Sequence, residues 1–135
     1  MRYQVPKLVA LDSDDAVLAQ VARVAGSYYT VIQVRNPKRA IALVEEDPQV
    51  RVFVTEQVMR GADGVELLES IRTMRPEVRR VMVTTYTDLA SIVIGLHSGA
   101  IQCLVQKPVD DRELLAAVCP QMVHEIGAMA QRVSA

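Results

Sequence analysis

Short aliphatic runs alternate along the chain with longer stretches in which apolar residues recur every three or four positions. Lys7–Leu11 (KLVAL) is apolar almost throughout, the pattern of a strand buried on both faces. Val17, Leu18, Val21, Val24 and Ala25 then fall at helical spacing, and Gly26 ends that helix. Tyr28–Val34 (YYTVIQV) is aromatic and β-branched and predicts a second strand. Asn36-Pro37 supplies a capping residue and a proline at the first helical position, and the helix continues through Ala40, Ile41, Leu43 and Val44 to Pro48. Val50–Thr55 predicts the third strand, followed by a loop from Glu56 to Ala62. Val65, Leu67, Leu68, Ile71 and Met74 line a third helix that Pro76 stops. Arg80–Thr85 is the fourth strand, Asp88–Ser98 the fourth helix and Cys103–Val105 the fifth strand. Asp110 caps a last helix, which Pro120 should kink.

Strand–helix alternation at this spacing predicts an α/β fold: a single, doubly wound, five-stranded parallel sheet with helices on both faces, joined by right-handed crossovers. The 135 residues suit one domain over 1–135, with a core over about 7–118 and a helical extension over about 119–133. Half of the residues are hydrophobic but only 4% are aromatic, with no Trp and one Phe, so the core is aliphatic. A formal net charge of −1 argues against a surface built for nucleic acid or an anionic membrane. No uncharged apolar stretch approaches a membrane span, and the N-terminus turns acidic too early for a signal peptide; the reading is cytoplasmic. Cys103 and Cys119 carry no metal or disulfide spacing and read as reduced thiols. His97 and His124 are single and distant. Arg72, Arg75, Arg79 and Arg80 read as a solvated basic face or a docking patch.

In such a sheet, function sits at the carboxyl ends of the strands. The residues there are Asp12-Ser13-Asp14, Glu56, Thr84 and Lys107. Each has an ordinary explanation: a helix N-terminus, a loop carboxylate, a strand-end hydroxyl, a lysine before a proline. Their joint occurrence at four strand ends points to one polar crevice.

Those residues, and the segments between them, resemble the receiver domain of two-component response regulators, the CheY-like fold, over roughly Lys7 to Val118. Met59-Arg60-Gly61-Ala62-Asp63-Gly64-Val65-Glu66-Leu67 is similar to the family's Met-Pro-Gly-x-Asp-Gly-x-Glu-Leu loop. Thr84-Thr85-Tyr86-Thr87-Asp88 is similar to its Thr-Gly-Tyr-x-Asp segment, and Gln106-Lys107-Pro108 to its Lys-Pro turn, where the peptide is usually cis. The spacing from Gly99 to Lys107 resembles the branch whose receivers precede regulatory output domains.

The resemblance implies roles and also exposes departures. The position that accepts a phosphoryl group, three before the loop's Met, is Glu56 rather than Asp. Of the acidic pair that helps hold Mg²⁺, Asp12 remains, Ser13 is a hydroxyl and Asp14 follows. A longer side chain moves the attacking oxygen by about an ångström, and misplacement of that order costs about 10²-fold. A neutral Ser13 weakens a site for an ion that wants near-octahedral oxygen at ~2.0–2.1 Å. No cofactor is certain, and Mg²⁺ would bind weakly. Glu56 is either a permanent partial mimic of the phosphoryl group acting on Lys107 and Thr84, or one half of a structural ion pair. The family's switch aromatic has its place at Leu104, or at Cys103 if it lies one residue earlier, and neither is aromatic.

In the fourth helix, Ala90, Val93, Ile94 and His97 form one face, expected in the core. Leu89, Ile92 and Leu96 form another, left for a partner. Leu115, Val118, Met122, Ile126, Met129 and Val133 continue an apolar stripe along the last helix. The resulting expectation is a non-enzymatic signalling module, a degenerate receiver that works through protein contacts without aspartyl phosphorylation. It would meet a histidine kinase or other signalling protein and an output domain or effector, and form a homodimer through the fourth helix, fifth strand and last helix, with no direct contact to nucleic acid or membrane. One alternative is a live receiver that still takes a phosphoryl group with Mg²⁺. The other is a flavodoxin-like small-ligand binder, for which the chain has no Gly-rich phosphate loop.

Overall fold

The computed structural model describes residues 4–85 and 88–121. Strand β1 is Lys7–Leu11, followed by α1 (Asp15–Ala25), β2 (Thr30–Val34), α2 (Pro37–Glu46) and β3 (Val50–Thr55). Two short strands, β4 (Val58–Met59) and β5 (Ala62–Asp63), precede α3 (Gly64–Met74). Then come β6 (Arg79–Thr84), α4 (Leu89–Ser98), β7 (Cys103–Gln106) and α5 (Asp111–Val118). The main sheet is parallel and five-stranded, in the order β2-β1-β3-β6-β7. This is the expected doubly wound α/β fold. The segment expected to be a loop after Glu56 instead forms the β4–β5 hairpin, turned at Gly61 with φ 81°. Two-residue strands are too short to show a period of two.

The apolar runs are explained by burial from both sides. Leu8, Ala10, Val52, Val54, Val81, Val83 and Val105 face a layer made by α1 and α5. Val9, Leu11, Phe53 and Met82 face the layer of α2, α3 and α4. All five helices begin on a side-chain cap that accepts from the first turn: Asp14, Asn36, Asp63, Asp88 and Asp110. Helix α5 ends at Val118; Cys119 leaves helical geometry at φ −138° and ψ 70°, as a residue before proline prefers, and helical backbone resumes at Pro120. Met122, His124, Ile126, Met129 and Val133 lie outside the described residues.

Two expectations are corrected. In α4 the buried face is Ile92 with Gly95, not Ala90, Val93, Ile94 and His97, all of which are exposed. Ile92, expected at an outer interface with Leu89 and Leu96, is 2% exposed. The helix is apolar nearly all round, so periodicity has no polar side to exclude. Gly95 decides the face, because a Cβ there would press on Ile101 and Val65. Nor are the arginines around the end of α3 a solvated patch. Arg75 donates to the carbonyls of Val44, Asp47, Pro48 and Val50. Arg80, 4% exposed, donates to those of Pro76, Val78, Gly99 and Ala100, and Arg79 Nε to that of Ala117 at 2.5 Å. Arg72 pairs with Glu69. The fold assembles these carbonyls from distant segments, which no local pattern records.

Candidate functional site

Parallel pairing brings the ends of β1, β3, β6 and β7 to one edge, and the chain continues from each into a polar residue. Asp12 N–H donates to Val34 O at 3.2 Å, Glu56 N–H to Leu11 O at 3.2 Å and Lys107 N–H to Thr84 O at 2.8 Å, so these residues extend the ladders by one step. The Lys107-Pro108 peptide is cis, as the resemblance implies.

The side chains meet on the lysine. Lys107 Nζ lies 2.5 Å from Glu56 Oε2 and 3.1 Å from Asp12 Oδ2. Its directional hydrogen bond to Asp12 goes to Oδ1 at 3.4 Å, and Oδ2 accepts no hydrogen bond from the described residues despite its nearness. Asp12 Oδ1 also accepts from Asp14 N–H at 2.9 Å. Glu56 Oε1 accepts from the N–H of Gln57 at 2.7 Å, so both of its oxygens are engaged. Asp12 and Glu56 are buried, at 2% and 7% exposure. Burial pushes the Asp12 carboxyl above its ordinary value, against the opposing pull of the Asp14 N–H and of Lys107. For Lys107 burial acts to lower the value, but Glu56 and Asp12 together outweigh it and hold the ammonium more strongly protonated than usual.

The other expected residues are placed differently. Thr84 is fully buried, and its Oγ1 has no hydrogen-bond partner among the described residues; Glu56 has turned to the lysine and its own neighbour instead. Ser13 is exposed. Asp14 is exposed and its carboxylate accepts from Ala16 N–H at 2.9 Å, capping α1. Leu104 is half-buried against the α2–α4 layer that contains Ile92, whereas Cys103 packs into the α1–α5 layer; of the two, Leu104 is the one beside α4. Leu89 is 61% exposed, Val93 61%, Ile94 65% and Leu96 43%, which makes an apolar outer face on α4.

The Mg²⁺ implied by the resemblance fits these residues poorly. The two buried carboxylates converge on an ammonium, Asp14 is committed to a helix cap, and no group of three His, Cys, Asp or Glu side chains suited to a metal occurs among the described residues. What the crevice holds is a closed carboxylate–ammonium–carboxylate cluster.

One residue of the site escapes any sequence pattern. Gln57, 1% exposed, accepts on its side-chain oxygen from Val65 N–H at 2.9 Å and donates from Nε2 to Asp63 Oδ2 at 3.3 Å. The only signal for it in the sequence is an amide two residues past a strand end.

Comparison with known proteins agrees with this fold. The profile of the response regulator receiver domain matches residues 8–119. The hydrogenase transcriptional regulatory protein HoxA of Cupriavidus necator is 33% identical over 97 residues, covering 70% of this chain and 20% of that protein. The acid tolerance regulatory protein ActR of Rhizobium meliloti is 27% identical over 112 residues, 82% of this chain and 57% of that protein. The chain thus spans about a fifth to under three fifths of these two relatives. Among solved structures, the signal receiver domain of an HD domain-containing protein from Pseudomonas fluorescens superposes with a TM-score of 0.78 at 26% identity, covering 92% of this chain and 99% of that one. A CheY-like receiver from Methanospirillum hungatei gives 0.76 at 22% identity over 96% and 99%, a likeness of fold.

Proposed function

We propose a function from one premise: this chain belongs to the response regulator receiver domain family. It is a signalling module of the two-component type, and on our reading it signals through protein contacts without phosphorylation of the crevice. The observation that carries this reading is the state of Glu56. Its carboxylate is buried, one oxygen 2.5 Å from Lys107 and the other accepting from a backbone N–H, so neither is presented to an incoming phosphorus. Attack in line needs a free, aligned oxygen and neutralised charge, and the cation that would supply the neutralisation is already shared with Asp12.

The contacts run through α4. Leu89, Val93, Ile94 and Leu96 present the large exposed apolar side chains of that helix, a surface suited to a second copy of the chain or to the output segment or effector of a longer regulator. The kinase that addresses ordinary receivers would then act on this one, if at all, as a binding partner.

Incubating the full chain with acetyl phosphate and Mg²⁺ and measuring its intact mass tests the proposal. An unchanged mass is expected. A phosphoryl adduct overturns it in favour of the second reading, a receiver that still accepts phosphate. One observation favours that second reading: the buried Thr84 hydroxyl has no partner among the described residues, leaving it open to an oxygen not supplied by Glu56.

A further inference from the structure

A second polar feature stands on the same rim as the crevice, on its α2 side. A cavity of ≈ 530 Å³ opens between the turn from β2 into α2 and the β4–β5 hairpin, lined by Arg35, Asn36, Pro37, Lys38, Arg60 and Gly61. These two turns follow the strands that flank β1, next to the point where the strand order reverses, which is where open parallel sheets hold ligands. Three of the lining residues are cations drawn from two separate segments, and no acid or aromatic residue is among them. Lys38 and Arg60 have no ion pair or side-chain hydrogen bond among the described residues. Arg35 pairs with Asp15 on an exposed surface, where such a pair has little strength and competes weakly with a ligand.

The cations are placed against local preference. Lys38 lies in the first turn of α2, which carries no acid, although the helix dipole disfavours positive charge there. The amides of that turn are not spare donors: Asn36 Oδ1 accepts from the N–H of Lys38 at 2.9 Å and of Arg39 at 3.3 Å, and Pro37 has none. Recognition therefore rests on side chains. Arg60 stands where the Met-Pro-Gly loop that this segment resembles has proline. It belongs to a hairpin whose apex, Gly61, has φ 81° and nothing within 4 Å of the place a Cβ would take, so a ligand can approach the backbone beside Arg60.

We propose that this cavity is a binding site for a compact polyanion, an oligophosphate or a polycarboxylate, held by Arg35, Lys38 and Arg60. A planar guanidinium binds two oxygens of a phosphate or carboxylate at once, and an ammonium adds a point charge. Three cations around one cavity match a ligand with at least two charged groups, and the volume lies within the range of small-molecule sites. With no aromatic ring in the lining, nothing is offered for a nucleobase to stack on, so the site is not built for a nucleotide. It shares no side chain with the Glu56–Lys107 cluster and stands apart from the reading of that cluster.

Titrating the full, isotope-labelled chain with pyrophosphate and, separately, with citrate in about 0.15 M salt tests it through amide NMR shifts. Saturable shifts centred on Lys38 and Gly61 are expected with at least one of the two, and the tighter binder assigns the ligand's charged group as phosphate or carboxylate. Lys38→Met and Arg60→Gln, both at exposed positions, should each weaken binding by roughly tenfold, the scale of one hydrogen bond to a charged group. Arg51→Gln, at the exposed start of β3 on the opposite rim, should leave it unchanged. Shifts that grow without saturating, binding as tight in both variants as in the native chain, or shifts centred on Lys107 overturn the proposal. A phosphoryl adduct in the acetyl phosphate experiment would sink the phosphorylation-independent reading while leaving this result standing.

Discussion

Lys107 and Arg80 are both cations withdrawn from water, and they are stabilised in opposite ways. Lys107 keeps its charge by meeting two carboxylates, whereas Arg80 keeps its charge with carbonyl oxygens from four residues and, among the described residues, no ion pair. Burial lowers the Arg80 pKa but leaves it protonated throughout the physiological range. Arg80→Met would leave those carbonyls short of donors, and a loss of about 2–3 kcal/mol is expected in urea unfolding. Lys107→Met should act through pH. Asp12 has a folded-state pKa above its ordinary 3.8, so the folded protein binds that proton more tightly and stability declines as pH rises through the window above 3.8. Removing the ammonium takes away an influence that lowers this pKa, so the window widens upward and the decline steepens. Unfolding free energies measured from pH 4 to 7 (roughly the carboxylate range) check this, and an unchanged slope would show that Lys107 does not control Asp12.

Among the elements, those with one buried environment were the most legible. β1 and β3 read directly as runs because both faces are covered, and the starts of α1, α2 and α5 read from Asp14, Asn36 and Asp110 because a cap is a local interaction. β2 begins at Thr30 rather than Tyr28, since Tyr28 and Tyr29 still hydrogen-bond back to Ala25. α4 was misoriented because apolar residues on every side erase the amphipathic signal. Lys107, Glu56 and Asp12 could be nominated from strand ends, but Gln57 could not, because its side chain is satisfied by Asp63 and Val65 at the start of α3, a contact made by the turn of the chain and not by any local pattern. The α1–α5 contact gives a prediction of its own. Arg23 donates through both terminal nitrogens to Asp111, at 2.9 and 3.0 Å, and Gln20 adds a third bond at 2.8 Å. Arg23 foremost, then Gln20, lowers the Asp111 pKa to about 2. The pair's contribution to stability is therefore present above 3.8 and fades as pH falls toward 2. In Arg23→Gln the Asp111 carboxyl, followed by NMR titration, should return most of the way to 3.8. At the start of α3, Gly64→Ala should cost about 2–4 kcal/mol by driving a methyl into the Glu56 carbonyl, read as a lowered midpoint in thermal unfolding.

For the molecule as a whole, the exposed side of α4 is the feature most in need of a partner. Leu89→Glu and Ile94→Glu lie on that side, so each should change unfolding free energy by under about 0.5 kcal/mol. If the face joins two copies, light scattering should show the native chain passing from monomer to dimer with concentration, and either variant remaining monomeric. A native chain that stays monomeric at every concentration would assign the face to a different protein.

The guanidinium groups of Arg75 and Arg80 gather carbonyls at the end of the sheet where β3 and β6 begin, far along the strands from Lys107. The sheet is held by neutral carbonyls around two guanidinium groups at one rim and by the ion cluster on Lys107 at the other. Substitutions among the crevice side chains should therefore leave strand register intact, because the contacts that gather the far rim involve none of them.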